Sequence, residues 1–172
     1  MAAMAEFVPR EIYEAIGRLC AYYAYLEGTV SQAIWLELGV SHDFGHPITD
    51  RLQLRDSYKL LVDLQKWARR EAAAAHLQNQ RKRVEALMEA RNLVVHGTVV
   101  FSAGRSEADT GIKWMMRRGS YNRRPQPVTL EFVEGLVNEC QALAADLNKI
   151  GRFYLSTDGE GQMDENSIPE GH

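Results

Sequence analysis

Cysteine is scarce in this 172-residue chain, with only Cys20 and Cys140 present. Both fall on the apolar faces of predicted helices, so they read as reduced core residues of a reducing compartment rather than a disulfide framework. Long apolar runs are missing too. Nothing approaches the ~20 consecutive apolar residues of a membrane span, and Met1 to Glu6 is too short and too weakly apolar for a signal peptide. A cytoplasmic protein with no membrane association is expected. There is no Walker loop, dinucleotide fingerprint or Gly-x-Ser-x-Gly elbow, and the helices lack the paired Glu-x-x-His motifs of di-iron bundles. No cofactor is expected.

Charge of one sign is not in excess either. The net charge is −3, but it divides unevenly. Segment 155–172 holds five acids (Asp158, Glu160, Asp164, Glu165, Glu170) and no Lys or Arg. The remainder carries 20 bases against 18 acids, about +2, which excludes the bulk charge of a tight duplex-DNA binder and allows a local basic groove. Basic clusters occur at Arg69-Arg70, Arg81-Lys82-Arg83, Arg117-Arg118 and Arg123-Arg124.

What is present is ordinary globular material, 45% hydrophobic and 25% charged, in a chain long enough to bury a core without disulfides or metals. Ile12, Ile16, Leu19, Tyr23, Leu26, Val30 and Ala33 recur at spacings of three and four, which predicts a helix from about Pro9 to Leu38, ended by Gly39. Ser41 to Pro47 reads as a loop. A second helix is expected from Thr49, as N-cap, to about Arg70, through Leu54, Tyr58, Leu61, Leu64 and Trp67. Ala72 to Ala75 either extends it or forms a tight connection. The third helix runs to about His96, with Gly97 at the C-terminal cap position. Thr98 to Ser102 and Ile112 to Met116 read as a β-hairpin, followed by the basic connection Arg117 to Pro127. A last helix follows with an inward stripe of Val133, Leu136, Val137, Cys140, Leu143, Ala144, Leu147 and Ile150.

The predicted fold class is all-α. It is an up-and-down four-helix bundle with a β-hairpin insertion between helices 3 and 4. Residues 1–154 form one domain, and the acidic segment 155–172 is too polar to order itself.

One position breaks the pattern. At about 100° per residue, Glu85, Glu89, Asn92 and His96 share a polar stripe of the third helix, while Arg91 falls in the sector of Val84, Leu87, Met88 and Val95. An arginine there needs a partner or a solvent-filled groove, because burying it unpaired is costly.

Arg91-Asn92-Leu93-Val94-Val95-His96-Gly97 resembles the signature of the HEPN superfamily, an Arg, often a polar residue directly after it, and a His a few positions on, near the end of a bundle helix. Arg70-x5-His76 fits the spacing as well, but Glu71 follows that Arg and the intervening residues include a run of alanines. The resemblance extends loosely over Pro9 to Tyr154 through helix order. Many members of the superfamily are metal-independent ribonucleases. The resemblance therefore implies Arg91, Asn92 and His96 as catalytic residues, no metal, RNA as substrate, and a homodimer in which two motifs meet at the interface. It also implies a toxin or defence role with an antitoxin or other protein partner.

The chemistry suits the residues. The RNA 2′-hydroxyl is the nucleophile, His96 serves as base or acid near neutral pH, and Arg91 holds the phosphate. The products are a 2′,3′-cyclic phosphate and a 5′-hydroxyl. Arg117, Arg118, Tyr121, Arg123 and Arg124 form a candidate RNA-contacting arm, with Tyr121 available to stack a base; as a solvated loop, the same residues would only keep the surface soluble.

The plainer alternative is a catalytically inactive HEPN-like bundle acting in dimerisation or in protein or RNA binding. In it His96 answers the helix macrodipole, Asn92 is a surface residue, and Arg91 pairs with Glu27, Asp50 or Asp56. His42-Asp43-Phe44-Gly45-His46 places three potential metal ligands in one loop but matches no specific metal motif, and no metal is assigned to it.

Overall fold

The three-and-four spacing of the first helix puts one stripe of it out of solvent. In the computed structural model, which describes residues 8–102, 111–115 and 126–157, helix α1 (Arg10–Leu38) buries Ile12, Ala15, Leu19, Tyr23, Leu26, Val30 and Ile34. Its end is a Schellman turn: Gly39 takes φ +65°, and the Gly39 and Val40 amides donate to the Leu36 and Trp35 carbonyls. Four more helices follow, α2 (His42–Thr49), α3 (Leu54–Trp67), α4 (Glu71–His96) and α5 (Leu130–Thr157). Between α4 and α5 lie three short antiparallel strands in the order β1 (Thr98–Ser102), β2 (Gly111–Met115) and β3 (Gln126–Pro127), with Val100 opposite Lys113. Segment 158–172 lies outside the described residues, and α5 continues to Thr157. No helix among the described residues is long and apolar enough to cross a membrane.

Helix α2 occupies the segment expected to be a loop. Local propensity argues against it, since Pro47 sits inside and cannot donate to the carbonyl of Asp43. Packing supplies what propensity lacks. The Trp35 indole Nε1–H donates to Thr49 Oγ1 at 3.1 Å, and the ring meets His42 edge-on at 5.1 Å. Gly45 is buried directly against the indole, so close that a Cβ there would lie 2.4 Å from Trp35 Cδ1. Thr49 is therefore the last residue of α2 and an anchor for α1, not the N-cap of the next helix, and Gln53 takes the N-cap position of α3.

This extra helix changes the topology. Arg91 on α4 stacks over Tyr23 on α1, while Arg70, just before α4, pairs with Glu37 near the end of α1; those two helices are antiparallel. Arg18 pairs with Glu134 and Tyr25 Oη accepts from Asn148, so α1 and α5 run the same way. The start of α3 lies with the middle of α1, where Leu54 and Ser57 share a cleft with Glu27 and Ser31. The end of α3 lies near Glu37, through Arg70. Helix α3 is thus parallel to α1, and α2 carries the chain back between them. The long helices run up, up, down, up rather than in strict alternation.

The core is apolar apart from a few buried polar side chains: Gln65 leaves its Oε1 without a partner among the described residues, whereas Gln80 forms a satisfied polar strut. Tyr58 on α3 donates its hydroxyl to Gln80 Oε1 at 3.0 Å. The Gln80 amide in turn donates to Asp146 Oδ2 on α5 at 3.2 Å and to His76 Nε2 at 2.8 Å. Three helices are tied through one side chain whose donors and acceptor are all used, so its burial carries no orphaned group.

If Gly45 is what admits Trp35 under α2, Gly45→Ala will overpack that contact. The denaturation midpoint should drop by an amount equivalent to about 1–3 kcal/mol. An unchanged midpoint would mean that α2 does not hold the indole.

Candidate active site

The last two turns of α4 carry the anomalous arginine. Arg91 is half-buried, and its guanidinium carbon lies 4.9 Å from the centre of the Tyr23 ring, a cation–π arrangement of roughly 0.5–2 kcal/mol. From that platform Arg91 Nη1 reaches forward along its own helix. It donates to Asn92 Oδ1 at 3.2 Å and meets His96 Nε2 at 3.0 Å. Arginine only donates, so in this contact Nε2 is the acceptor and the proton of a neutral imidazole sits on Nδ1. His96 is the last residue of α4 and is exposed, so its ring borders both the guanidinium and solvent. Gly97 follows in an extended conformation (φ −69°, ψ 153°), its amide donating to Leu93 O. The helix thus ends there without the left-handed turn that would demand glycine.

The structure brings together Arg91, Asn92 and His96. The arm residues Arg117, Arg118, Tyr121, Arg123 and Arg124 lie outside the described residues. The other basic clusters are in part neutralised: Arg81 pairs with Glu85, Arg83 with Glu139 and Arg70 with Glu37. His76 of the alternative Arg70-x5-His76 match is engaged by Gln80 instead. Among the described residues no three His, Cys, Asp or Glu side chains are grouped to hold a metal ion. Comparison with protein-family models, with curated proteins and with solved structures returns no match for this chain.

None of the ion pairs considered for Arg91 forms. Asp50 lies beside His46 and Asp56 beside Arg55. Glu27 makes no hydrogen bond or ion pair among the described residues and acts on Arg91 only through space. Arg91 Nε is buried without an acceptor, an uncommon condition for a charged donor, and Nη2 has no hydrogen bond among the described residues. The guanidinium therefore keeps unspent donor capacity.

The residue that sequence reasoning missed is Tyr23, which had merged into the apolar seam of α1. Its signal was an aromatic one turn before Glu27, a mid-helix carboxylate on the same face. Burial, and then the Glu27 charge, push the Tyr23 phenol up to about 12 against the opposing pull of Arg91, so the ring stays neutral at any physiological pH.

Burial also raises the Glu27 carboxyl above the ordinary carboxylate range, with the Arg91 charge opposing the shift. A carboxyl whose folded pKa is raised holds its proton more tightly in the folded state. Its ionisation then costs stability as pH rises through that folded pKa, and the cost vanishes below the unfolded value. Removing the cation enlarges the cost. In Arg91→Gln the Glu27 midpoint, followed by carboxyl carbon NMR, should move further up, with stability falling more steeply with rising pH. An unmoved midpoint would show that Arg91 and Glu27 are not coupled.

Proposed function

We propose that this chain is a metal-independent endoribonuclease of HEPN type, its four long helices forming the bundle and the segment between α4 and α5 a hairpin-bearing insertion. The observation that carries the reading is the 3.0 Å contact between Arg91 and His96, with Asn92 sharing the same guanidinium nitrogen. It puts a permanent cation and a titratable ring at one exposed helix end.

In this mechanism a phosphodiester docks on Arg91 through Nη2, which has no hydrogen bond among the described residues, and the guanidinium charge stabilises the charge growing on the non-bridging oxygens. As Arg91 turns from the ring to the phosphate, the Nε2 lone pair of His96 is released and takes the proton of the 2′-hydroxyl, whose oxygen attacks the adjacent phosphorus. The 5′-oxygen leaves and takes up a proton, giving a 2′,3′-cyclic phosphate and a 5′-hydroxyl. Asn92 holds the guanidinium toward the ring.

One protomer supplies one histidine, and the leaving oxygen needs an acid. A homodimer with the second His96 across the interface answers that need. Arg117, Arg118, Tyr121, Arg123 and Arg124 are assigned to RNA contact, and a toxin or defence role with an antitoxin partner accompanies the reading.

A second reading is a catalytically silent bundle that binds a protein partner. What favours it is the exposure of two large aromatics, Trp67 at 83% and Phe44 at 75%.

The test is incubation of a mixed RNA pool in EDTA with wild type and His96→Ala, mapping the product ends. The nuclease reading expects cyclic phosphate ends from wild type and a rate lower by about 10²–10⁴-fold in the variant. Cleavage lost in EDTA, or retained by folded His96→Ala, sinks the mechanism. No cleavage by either folded protein favours the silent bundle.

A further inference from the structure

A cleft of about 340 Å³ opens between α1, α2 and α3, lined among others by Glu27, Ser31, Trp35, Thr49, Asp50 and Ser57. This is within the size range of small-ligand sites, ~300–1,000 Å³. One wall is held in place: Trp35 is bonded through Nε1 to Thr49 and packed against Gly45.

Its most unusual lining group is Glu27. The side chain is half-buried and makes no hydrogen bond or ion pair among the described residues. An ionised carboxylate accepts and cannot donate, so a ligand that satisfies it must bring N–H or O–H donors, and a nucleotide base brings N–H. Asp50, exposed on the same rim beside His46, adds a second carboxylate that solvent already reaches.

The position of the cleft narrows the ligand further. Glu27 lies one helical turn, about 6 Å along the axis, beyond Tyr23, the ring on which Arg91 stacks. A molecule that presents an anionic group to Arg91 and an N–H-rich edge to Glu27 spans roughly the reach from a nucleotide's phosphate to its base. Among the four RNA bases only guanine offers two adjacent donors, N1–H and N2–H, that match both oxygens of one carboxylate. Adenine and cytosine put a ring acceptor beside their amino group, and uracil flanks its single N–H with two carbonyls. Single-stranded RNA is commonly read in this way, by hydrogen bonds to a splayed base edge beside an aromatic wall.

We propose that the cleft between α1, α2 and α3 is a guanine subsite. Glu27 accepts from the Watson–Crick edge, Trp35 supplies the apolar wall, and the attached phosphate is directed toward Arg91 and His96. The inference rests on the ribonuclease reading for its RNA substrate, while base recognition by the cleft can be measured without any cleavage.

The experiment is calorimetric titration of the full chain with guanosine, then with GMP, AMP, CMP and UMP, and finally with spermidine as a probe for a purely cationic ligand. Guanosine should bind, and GMP should bind at least tenfold more tightly than the other nucleotides. Glu27→Gln, checked for folding by circular dichroism, should weaken guanosine tenfold or more, and Asp50→Asn, altering an exposed rim residue, should weaken it less. In the RNA pool, cuts should cluster beside guanosines in wild type and lose that preference in Glu27→Gln.

RNA cut in EDTA without guanine preference, together with no guanosine binding, overturns the subsite and leaves the nuclease reading standing. Guanosine binding that depends on Glu27, without RNA cleavage under any condition, overturns the RNA role and leaves a site for free guanine nucleotides. Spermidine binding that Glu27→Gln abolishes, with no guanosine binding, makes the cleft a cation site and overturns the proposal.

Discussion

Arg91 carries a permanent charge on a helix face that otherwise packs into a core, and Tyr23 is what makes that tolerable. A guanidinium over an aromatic face keeps part of its electrostatic stabilisation while its flat surface is out of water. Because the tyrosine ring occupies one side of the cation and no carboxylate among the described residues pairs with it, the N–H edge stays turned along the helix toward Asn92 and His96. A direct ion pair with Glu27 would have held the arginine too, but would have neutralised its charge and taken up to two of its three remaining N–H groups. With Glu27 and Arg91 apart, neither spends its hydrogen-bonding groups on the other.

The backbone that allows this is set one layer further out. Because α2 returns the chain between α1 and α3, the start of α3 lies against the middle of α1, and the cleft is the space left between the two parallel helices. The indole of Trp35 holds that crossover in place through Thr49 and Gly45. At the other side α4 descends antiparallel to α1, which brings its last turns to the level of Tyr23. Phosphate-binding and base-binding functions would thus be divided between two neighbouring layers that share one helix, α1, and specifically the turn from Tyr23 to Glu27.

Sequence pattern alone located α1 to within one residue, because its apolar seam is regular and its end carries a glycine in the left-handed region. It also set the end of α4 at His96 and marked Arg91 as misplaced. It failed at α2, where Gly45 and Pro47 signal a turn locally and the helix exists through contact with an indole seven residues before its first turn. The direction of α3 was illegible for the same reason: a loop of that length would reverse the chain, and a helix does not. The partner of Arg91 was hidden because Tyr23 satisfies the same three-and-four spacing as its purely structural neighbours. Periodicity tells which residues face inward and says nothing about which of them meets a charge there.

The central claim is that Arg91, held on Tyr23, faces the unprotonated Nε2 of His96. Nitrogen NMR of the His96 side chain, at a pH where the ring is neutral, reads this directly. The account predicts a proton on Nδ1 and none on Nε2, with Nε2 taking on the shift of a protonated or exchanging nitrogen in Tyr23→Leu as the guanidinium loses its platform. A neutral ring protonated at Nε2 in wild type, or a tautomer indifferent to Tyr23, would contradict it.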